Sequence, residues 1–420
     1  MNNLPLTDDT VIFGLLALCL GFVFYTSSIK TGFWKKFYAF IPTVLMCYLL
    51  PAILASSGLV SEKDSNLYFI ASRYLLPAAL ILMTLSIDLK AIANLGSKAL
   101  IMFLTGTAGI IIGGPLAILI VSVFSPETVG GVGPDAVWRG LSTIAGSWIG
   151  GGANQAAMLE VFEYNPEKYG GMVLIDIVVA NIWMALLLLG IGRKDKIDNW
   201  LKADNSSIEE LKIKVSEYTA KIARVTSLHD FIIMLFFAFV GVGLAHFLGN
   251  HFAEFLEANF EVIRNKEKVL SSLGSKFLWM VVFATAIGIG LSFTKAKNYE
   301  GAGASKIGGM FIYILVATIG MKMDLGRVLE NPGLIAIGLV WISIHAGLLI
   351  LVAKLIKAPY FFLAVGSQAN VGGAASAPVV AAEFHPSLTS VGILLAVFGY
   401  VVGTGGAYLC AILMEVASTV

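Results

Sequence analysis

Charge is what this sequence has little of. Asp, Glu, Lys and Arg make up 13% of its 420 residues, about half their share in a soluble domain. Neither sign dominates: 28 Lys and Arg stand against 27 Asp and Glu, a net charge of +1. That leaves no basic footprint for nucleic acid and no highly charged disordered segment. Cysteine is scarce as well. Cys19, Cys47 and Cys410 each lie inside an apolar run, in no disulfide or metal spacing. What is abundant is apolar: 57% of the residues are hydrophobic, and mean hydropathy is +0.85. One water-soluble core cannot absorb that excess, because cores stop growing near about 250–300 residues. The chain reads as an all-α polytopic membrane protein whose first partner is the lipid bilayer.

Helices of about 20 apolar residues are the unit of counting, since the hydrocarbon core is about 30 Å thick. The sequence predicts spans at 11–28, 37–57, 67–87, 99–124, 171–191, 230–249, 275–293, 307–321, 333–353 and 388–414, with Gly-rich segments at 138–162 and 360–385. The first span has an acidic front, Asp8 and Asp9, and basic residues only behind it, so it reads as a retained span rather than a leader. Residues 193–228 form a charged linker. Within it Ile208, Leu211, Val215, Tyr218, Ile222 and Val225 recur at spacings of three and four, the pattern of an amphipathic helix. Ser206 with Glu209 reads as its capping box, and Glu210 with Lys214 as a surface pair.

The chain repeats itself. Ser86-Ile87-Asp88-Leu89 ends the third span, and Lys322-Met323-Asp324-Leu325 follows the span at 307–321. Each is followed by another span and then by a Gly-rich segment opening Gly-Ser, at Gly146-Ser147 and Gly366-Ser367. Residues 1–192 and 229–420 are therefore two copies of one unit. Loop charge decides their orientation, because cytoplasmic loops collect Lys and Arg. If each Gly-rich segment dips in and returns on one side, the inner loops gather Lys30, Lys35, Lys36, Lys90, Lys98, eight linker charges, Lys295, Lys297, Lys306, Lys354 and Lys357. The outer loops then keep only Lys63, Lys168, Arg264, Lys266, Lys268, Lys322 and Arg327. If each crosses once instead, that asymmetry is lost. The expected fold is an inverted repeat of two five-helix units, each with a re-entrant hairpin, and a cytoplasmic linker. Both termini are expected outside the cytoplasm, in the cell (inner) membrane.

Glycines at the centres of the Gly-rich segments permit tight turns: Gly150-Gly151-Gly152 in the first and Gly372-Gly373 in the second. Irregular backbone at membrane depth is tolerated where protein buries it or water reaches it, and broken helices of this kind hold ligands in secondary transporters. The substrate-binding candidates are Ser147, Gly151, Gly152, Asn154 and Gln155 with Ser367, Gln368, Asn370, Gly372, Gly373 and Ser376. The competing role for the polar ones is interhelical hydrogen bonding. Asp176, well inside a span, with Asn181 five residues on and Thr404 in the corresponding last span, is the ion-coupling candidate, since intramembrane carboxylates are costly and usually functional. His345 fits a satisfied intramembrane histidine or a proton relay. Arg73 calls for a carboxylate or an anionic ligand beside it.

The run Gly146-Ser147-Trp148-Ile149-Gly150-Gly151-Gly152-Ala153-Asn154-Gln155 and its partner Gly366-Ser367-Gln368-Ala369-Asn370-Val371-Gly372-Gly373 resemble the YjcL-type membrane protein family, a domain of unknown function (DUF819). The resemblance extends over essentially the whole chain. It implies a place in the cation:proton antiporter and anion transporter superfamily. The architecture is similar to that of sodium-dependent glutamate and citrate symporters, with two inverted five-helix units and re-entrant loops marked Gly-Gly-x-Gly. What that implies is an elevator-type mechanism within a homodimer. This sequence departs from the symporter motif at Ala153 and Ala375, and no arginine stands at either tip to clamp a carboxylate.

Function classes separate on motifs. An intramembrane aspartyl protease needs a Gly-x-Gly-Asp-like pair and a zinc protease His-Glu-x-x-His; neither occurs, nor does a Walker motif. The expectation is no enzyme, no bound cofactor and no resident metal, but a transporter of a small solute driven by Na+ or H+, with Na+ at the hairpin tips one possibility. The alternative is a passive channel or a non-transporting membrane protein.

Overall fold

The computed structural model describes residues 5–61, 65–204, 208, 211, 225–264, 269–327, 331–385 and 388–419. Among them the protein is helical, with one isolated bridge between Leu6 and Val60. Seven helices are long and apolar enough to cross a membrane, and nine spans result if two bent pairs are each counted as one.

The first half comprises α1 (Asp9–Ser28), α2 (Gly32–Phe40), α3 (Thr43–Ser56), α4 (Leu67–Leu85), α5 (Ser97–Phe124), α6 (Val137–Val161) and α7 (Tyr169–Ile191). The second comprises α8 (Leu228–Asn259), α9 (Lys276–Ser292), α10 (Ala304–Gly320), α11 (Gly333–Leu355), α12 (Tyr360–Val371), α13 (Gly373–Phe384) and α14 (Thr389–Ser418). Asp8 caps α1 by accepting from the Thr10 and Val11 N–H groups. The Thr10 hydroxyl, followed by those N–H groups, holds its carboxyl below the ordinary carboxylate range.

One predicted span differs from expectation. The span expected at 37–57 is a corner: Gly32–Tyr38 and Thr43–Ser56 meet at 97°. Pro42 precedes α3 and forces Ile41 into extended backbone (φ −108°, ψ 105°), as a residue before proline prefers. α2 carries Phe33, Trp34, Phe37 and Tyr38 beside Lys35 and Lys36, a composition suited to the membrane interface. The span expected at 307–321 is present as α10, 17 residues long, which reaches about 26 Å. Of the linker, Lys194–Leu201 is helical, and Asp198 accepts from the Tyr360 N–H at 2.7 Å, so the linker caps the start of α12. The predicted capping box Ser206–Glu209 and the Glu210–Lys214 pair lie outside the described residues.

The helices sort into two bundles. α1, α3, α4, α8, α9 and α10 pack mainly on one another, and α5, α6, α7, α11, α12, α13 and α14 do likewise. The inner half of α4 is the axis of the first bundle: every residue from Leu76 to Leu85 is buried. In the second, α11 is zipped to α5. Trp341 Nε1 donates to the Ile110 carbonyl at 2.8 Å, and His345 Nδ1 lies 2.9 Å from the Gly106 carbonyl. A carbonyl only accepts, so Nδ1 carries the proton, and Nε2 accepts from the Ser367 hydroxyl at 2.8 Å. Trp183 Nε1 donates to the same hydroxyl at 2.8 Å. His345 is thereby a joint between α5, α7, α11 and α12.

α6 does not run straight. Residues 138 and 162 would stand about 36 Å apart in a continuous helix, yet the Trp138 and Phe162 rings are 5.5 Å apart, and Arg139 donates to the Phe162 carbonyl at 2.5 Å. The chain doubles back at Gly151, whose φ of 73° and ψ of −173° are essentially open to glycine alone. α12 and α13 double back likewise across Gly372 and Gly373: the Phe361 and Phe384 rings are 5.3 Å apart, and Gln368 Nε2 donates to Ser376 Oγ at 2.7 Å.

Candidate functional site

The two turns meet. A Cβ built on Gly373 would lie 4.0 Å from the Gly151 Cα. Around that meeting point is a cavity of about 560 Å³, within the size range of small-molecule sites. The second bundle contributes both turns, Ser147, Gln155, Asp176 of α7 and Tyr400 of α14; the first contributes Val44 and Tyr48 of α3, Met83 of α4 and Ile312, Tyr313 and Val316 of α10. Glu300, Ser305 and Lys306, at the junction of α9 and α10, also line it.

Asp176 is the chemical centre. Its carboxylate accepts from Trp148 Nε1 at 2.6 Å and from Gln155 Nε2 at 3.0 Å, and Ser147 adds a third hydrogen bond. All three donors are neutral and come from α6, so this carboxylate also pins the first turn to α7. Among the described residues no Lys, Arg or His forms an ion pair with it. A buried carboxylate satisfied by neutral donors keeps its charge available to a ligand.

Of the expected site residues, Ser147, Gly151, Gly152, Gln155, Asp176, Gly372 and Gly373 line the cavity. The others serve the walls. Asn154 donates to the Gly150 carbonyl at 3.0 Å and accepts from Thr404 at 2.6 Å. Asn370 donates to the Phe103 and Gly366 carbonyls, each at 2.9 Å, and accepts from Thr107 at 2.8 Å. Each folded-back segment is thus pinned by an Asn–Thr pair, Thr404 lying in the second half of the chain and Thr107 in the first. Ser367 belongs to the His345 joint, and Gln368 and Ser376 bond each other. Asn181 is exposed on α7 and bonds its own helix at the Ile177 carbonyl; the structure places it away from the cavity. A double-mutant cycle on Asn154→Ala and Thr404→Val should show coupling of about 0.6 kcal/mol, the average for hydrogen bonds inside membrane bundles. Strict additivity in thermal unfolding would show that the pair does not hold the first turn.

Arg73 has its carboxylate. The π-helical turn Ala71–Leu75 in α4 presents it to Glu160 at 2.7 Å, and Tyr68 bonds the same carboxylate. The guanidinium also stacks 4.4 Å from the Phe277 ring. This ion pair bridges the two bundles. The sequence reading missed Tyr48, Tyr313, Tyr400 and Ile312, and for the tyrosines a signal existed: each is a polar tip inside an apolar span.

A family model described as "Protein of unknown function (DUF819)" matches residues 12–417. The chain belongs to the DUF819 family. It is also similar to the "Uncharacterized membrane protein YjcL" of Bacillus subtilis (strain 168), at 24% identity over 415 residues, covering 96% of this chain and 96% of that protein. Both matches run through the two Gly-rich segments and the spans around them, so the cavity lies wholly inside the DUF819 region.

Proposed function

We propose that this chain is a secondary active transporter of a small solute, working by alternating access with H+ or Na+ as the driving ion. The observation that carries the reading is the cavity between the two bundles, floored by two glycine turns and holding an unpaired buried carboxylate. Broken helices that meet at membrane depth are the usual place for substrate in secondary transporters. The folded-back segments read as re-entrant hairpins entering from opposite faces. The inverted repeat draws support from the bundles themselves, since α1, α3 and α4 sit with α8, α9 and α10, while α5, α6 and α7 sit with α11 to α14. The hairpin bundle is the moving part of an elevator, and the first bundle is its fixed wall and the site of a homodimer contact. Asp176 is the group that takes up positive charge during the cycle. Loop charge favours Lys306 and the linker on the cytoplasmic side of the cell membrane, and both termini outside. No catalysis is assigned to the chain.

Reconstitution tests this directly. Uptake into proteoliposomes should require an imposed ion gradient, and flux indifferent to that gradient would make the protein a channel instead. Sliding has its own test. A Cβ on Gly152 of the hairpin bundle would lie 3.6 Å from Ile312 Cγ2 of the fixed bundle, so the two positions are in van der Waals contact and suit a cysteine cross-link test. The double variant Gly152→Cys with Ile312→Cys should lose transport on oxidation and regain it on reduction. Full flux through the cross-linked protein would sink the elevator reading.

A further inference from the structure

The cavity is charged in an uneven way. Among the described residues its charged lining is two acids, Asp176 and Glu300, and one base, Lys306. Both Glu300 oxygens are taken by Ser305, from its N–H at 3.1 Å and its hydroxyl at 2.6 Å. The rings of Tyr48, Tyr313 and Tyr400 line the same space. Tyr400 lies directly over the first turn, with ring carbon Cε1 3.5 Å from a Cβ built on Gly151.

We infer that the solute is a small organic cation, an alkyl- or quaternary ammonium, whose charged head pairs with Asp176 among these tyrosine rings. This rests on the transporter reading of the cavity and adds the sign and class of its substrate. A carboxylate or phosphate substrate would meet the like charges of Asp176 and Glu300, with Lys306 the one basic side chain among the described lining residues, an arrangement that disfavours anions. A bare metal ion fits poorly for a different reason. Hard cations need a shell of several oxygens, whereas Asp176 is ringed by the N–H groups of Trp148 and Gln155. Among the described residues no cluster of three His, Cys, Asp or Glu side chains stands ready to complete such a shell. An ammonium head needs only one carboxylate and aromatic faces, which attract it through their quadrupoles. The volume of about 560 Å³ leaves room for an organic body beyond the head.

The experiment measures thermal stability of the purified full-length protein in detergent. The probes are tetramethylammonium chloride and n-butylammonium chloride, against sodium acetate and sodium citrate at matched ionic strength. The ammonium salts should raise the Tm saturably and the carboxylates should not. Asp176→Asn should weaken the apparent affinity by about thirty-fold or more, as removing one partner of a buried charge pair does. Tyr400→Leu should weaken tetramethylammonium by about two- to thirty-fold through loss of its ring, which keeps the test alive should the Asp176 variant misfold. Asn181→Ala, outside the cavity, should bind as the wild type. Stabilisation by citrate or acetate, or no saturable response to either ammonium salt, overturns the assignment. In proteoliposomes the two readings come apart. Ammonium binding without any gradient-driven flux would leave this assignment standing and remove the transporter, whereas gradient-driven flux of an anion would do the reverse.

Discussion

Asp176→Asn is expected to cut gradient-driven solute uptake by on the order of a hundred-fold, the size of effect that follows loss of one member of a buried charge pair. The side chain keeps its shape, so the change isolates charge and hydrogen-bond polarity. The carboxylate accepts from Trp148, Gln155 and Ser147 at once. An amide has one oxygen for them and must turn its NH2 against at least one N–H donor. Charge-assisted bonds of this kind are worth about 1.5–3 kcal/mol each. Stability should change little, because removing a buried charge relieves its own desolvation cost and offsets the lost bond. A functional carboxylate therefore predicts lost transport at a little-changed Tm, while a purely structural one predicts a lower Tm. Uptake within two-fold of wild type would remove Asp176 from the mechanism.

Gly403→Val is expected to damage the fold severely. α14 crosses the first hairpin where two glycines touch. A Cβ on Gly403 would lie 2.6 Å from the Gly150 Cα, and one on Gly150 would lie 2.7 Å from the Gly403 Cα. Backbone stands on both sides, so no rotamer change can make room. The same crossing carries the Thr404–Asn154 hydrogen bond, which separates if the helices are pushed apart. Overpacking typically costs about 1–3 kcal/mol, and here the upper end applies or the protein fails to assemble. Gly405→Ala is the control, since a Cβ there meets nothing within 4 Å. Equal melting temperatures for Gly403→Val and Gly405→Ala would show that the crossing is looser than the coordinates describe.

Much of the site was legible before any coordinate. The two Gly-rich runs mark themselves because a turn at positive φ admits glycine and little else, and Gly151 and Gly373 both have positive φ. Asp176 stood out because a carboxylate inside an apolar span has no cheap explanation. Asn154, Asn370, Ser367 and Thr404 looked alike in sequence and turned out to be pins rather than lining. A polar side chain in an apolar run advertises a hydrogen bond and says nothing of whether the partner is a helix or a solute. Asn181 misled for the same reason, its partner being the carbonyl one turn back on its own helix.

Sequence by itself determined the solvent, the helical class and the positions of the two glycine turns, because hydropathy, periodicity and glycine act locally along the chain. Only the tertiary structure decided that the turns meet, that Asp176 lines the same cavity in no ion pair among the described residues, that Arg73 is spent on Glu160, and that three tyrosines from α3, α10 and α14 line that cavity too. Those facts depend on which helix faces lie together. In a chain whose spans are apolar all round, periodicity does not say which face that will be, and only the packing of small residues and buried hydrogen bonds settles it.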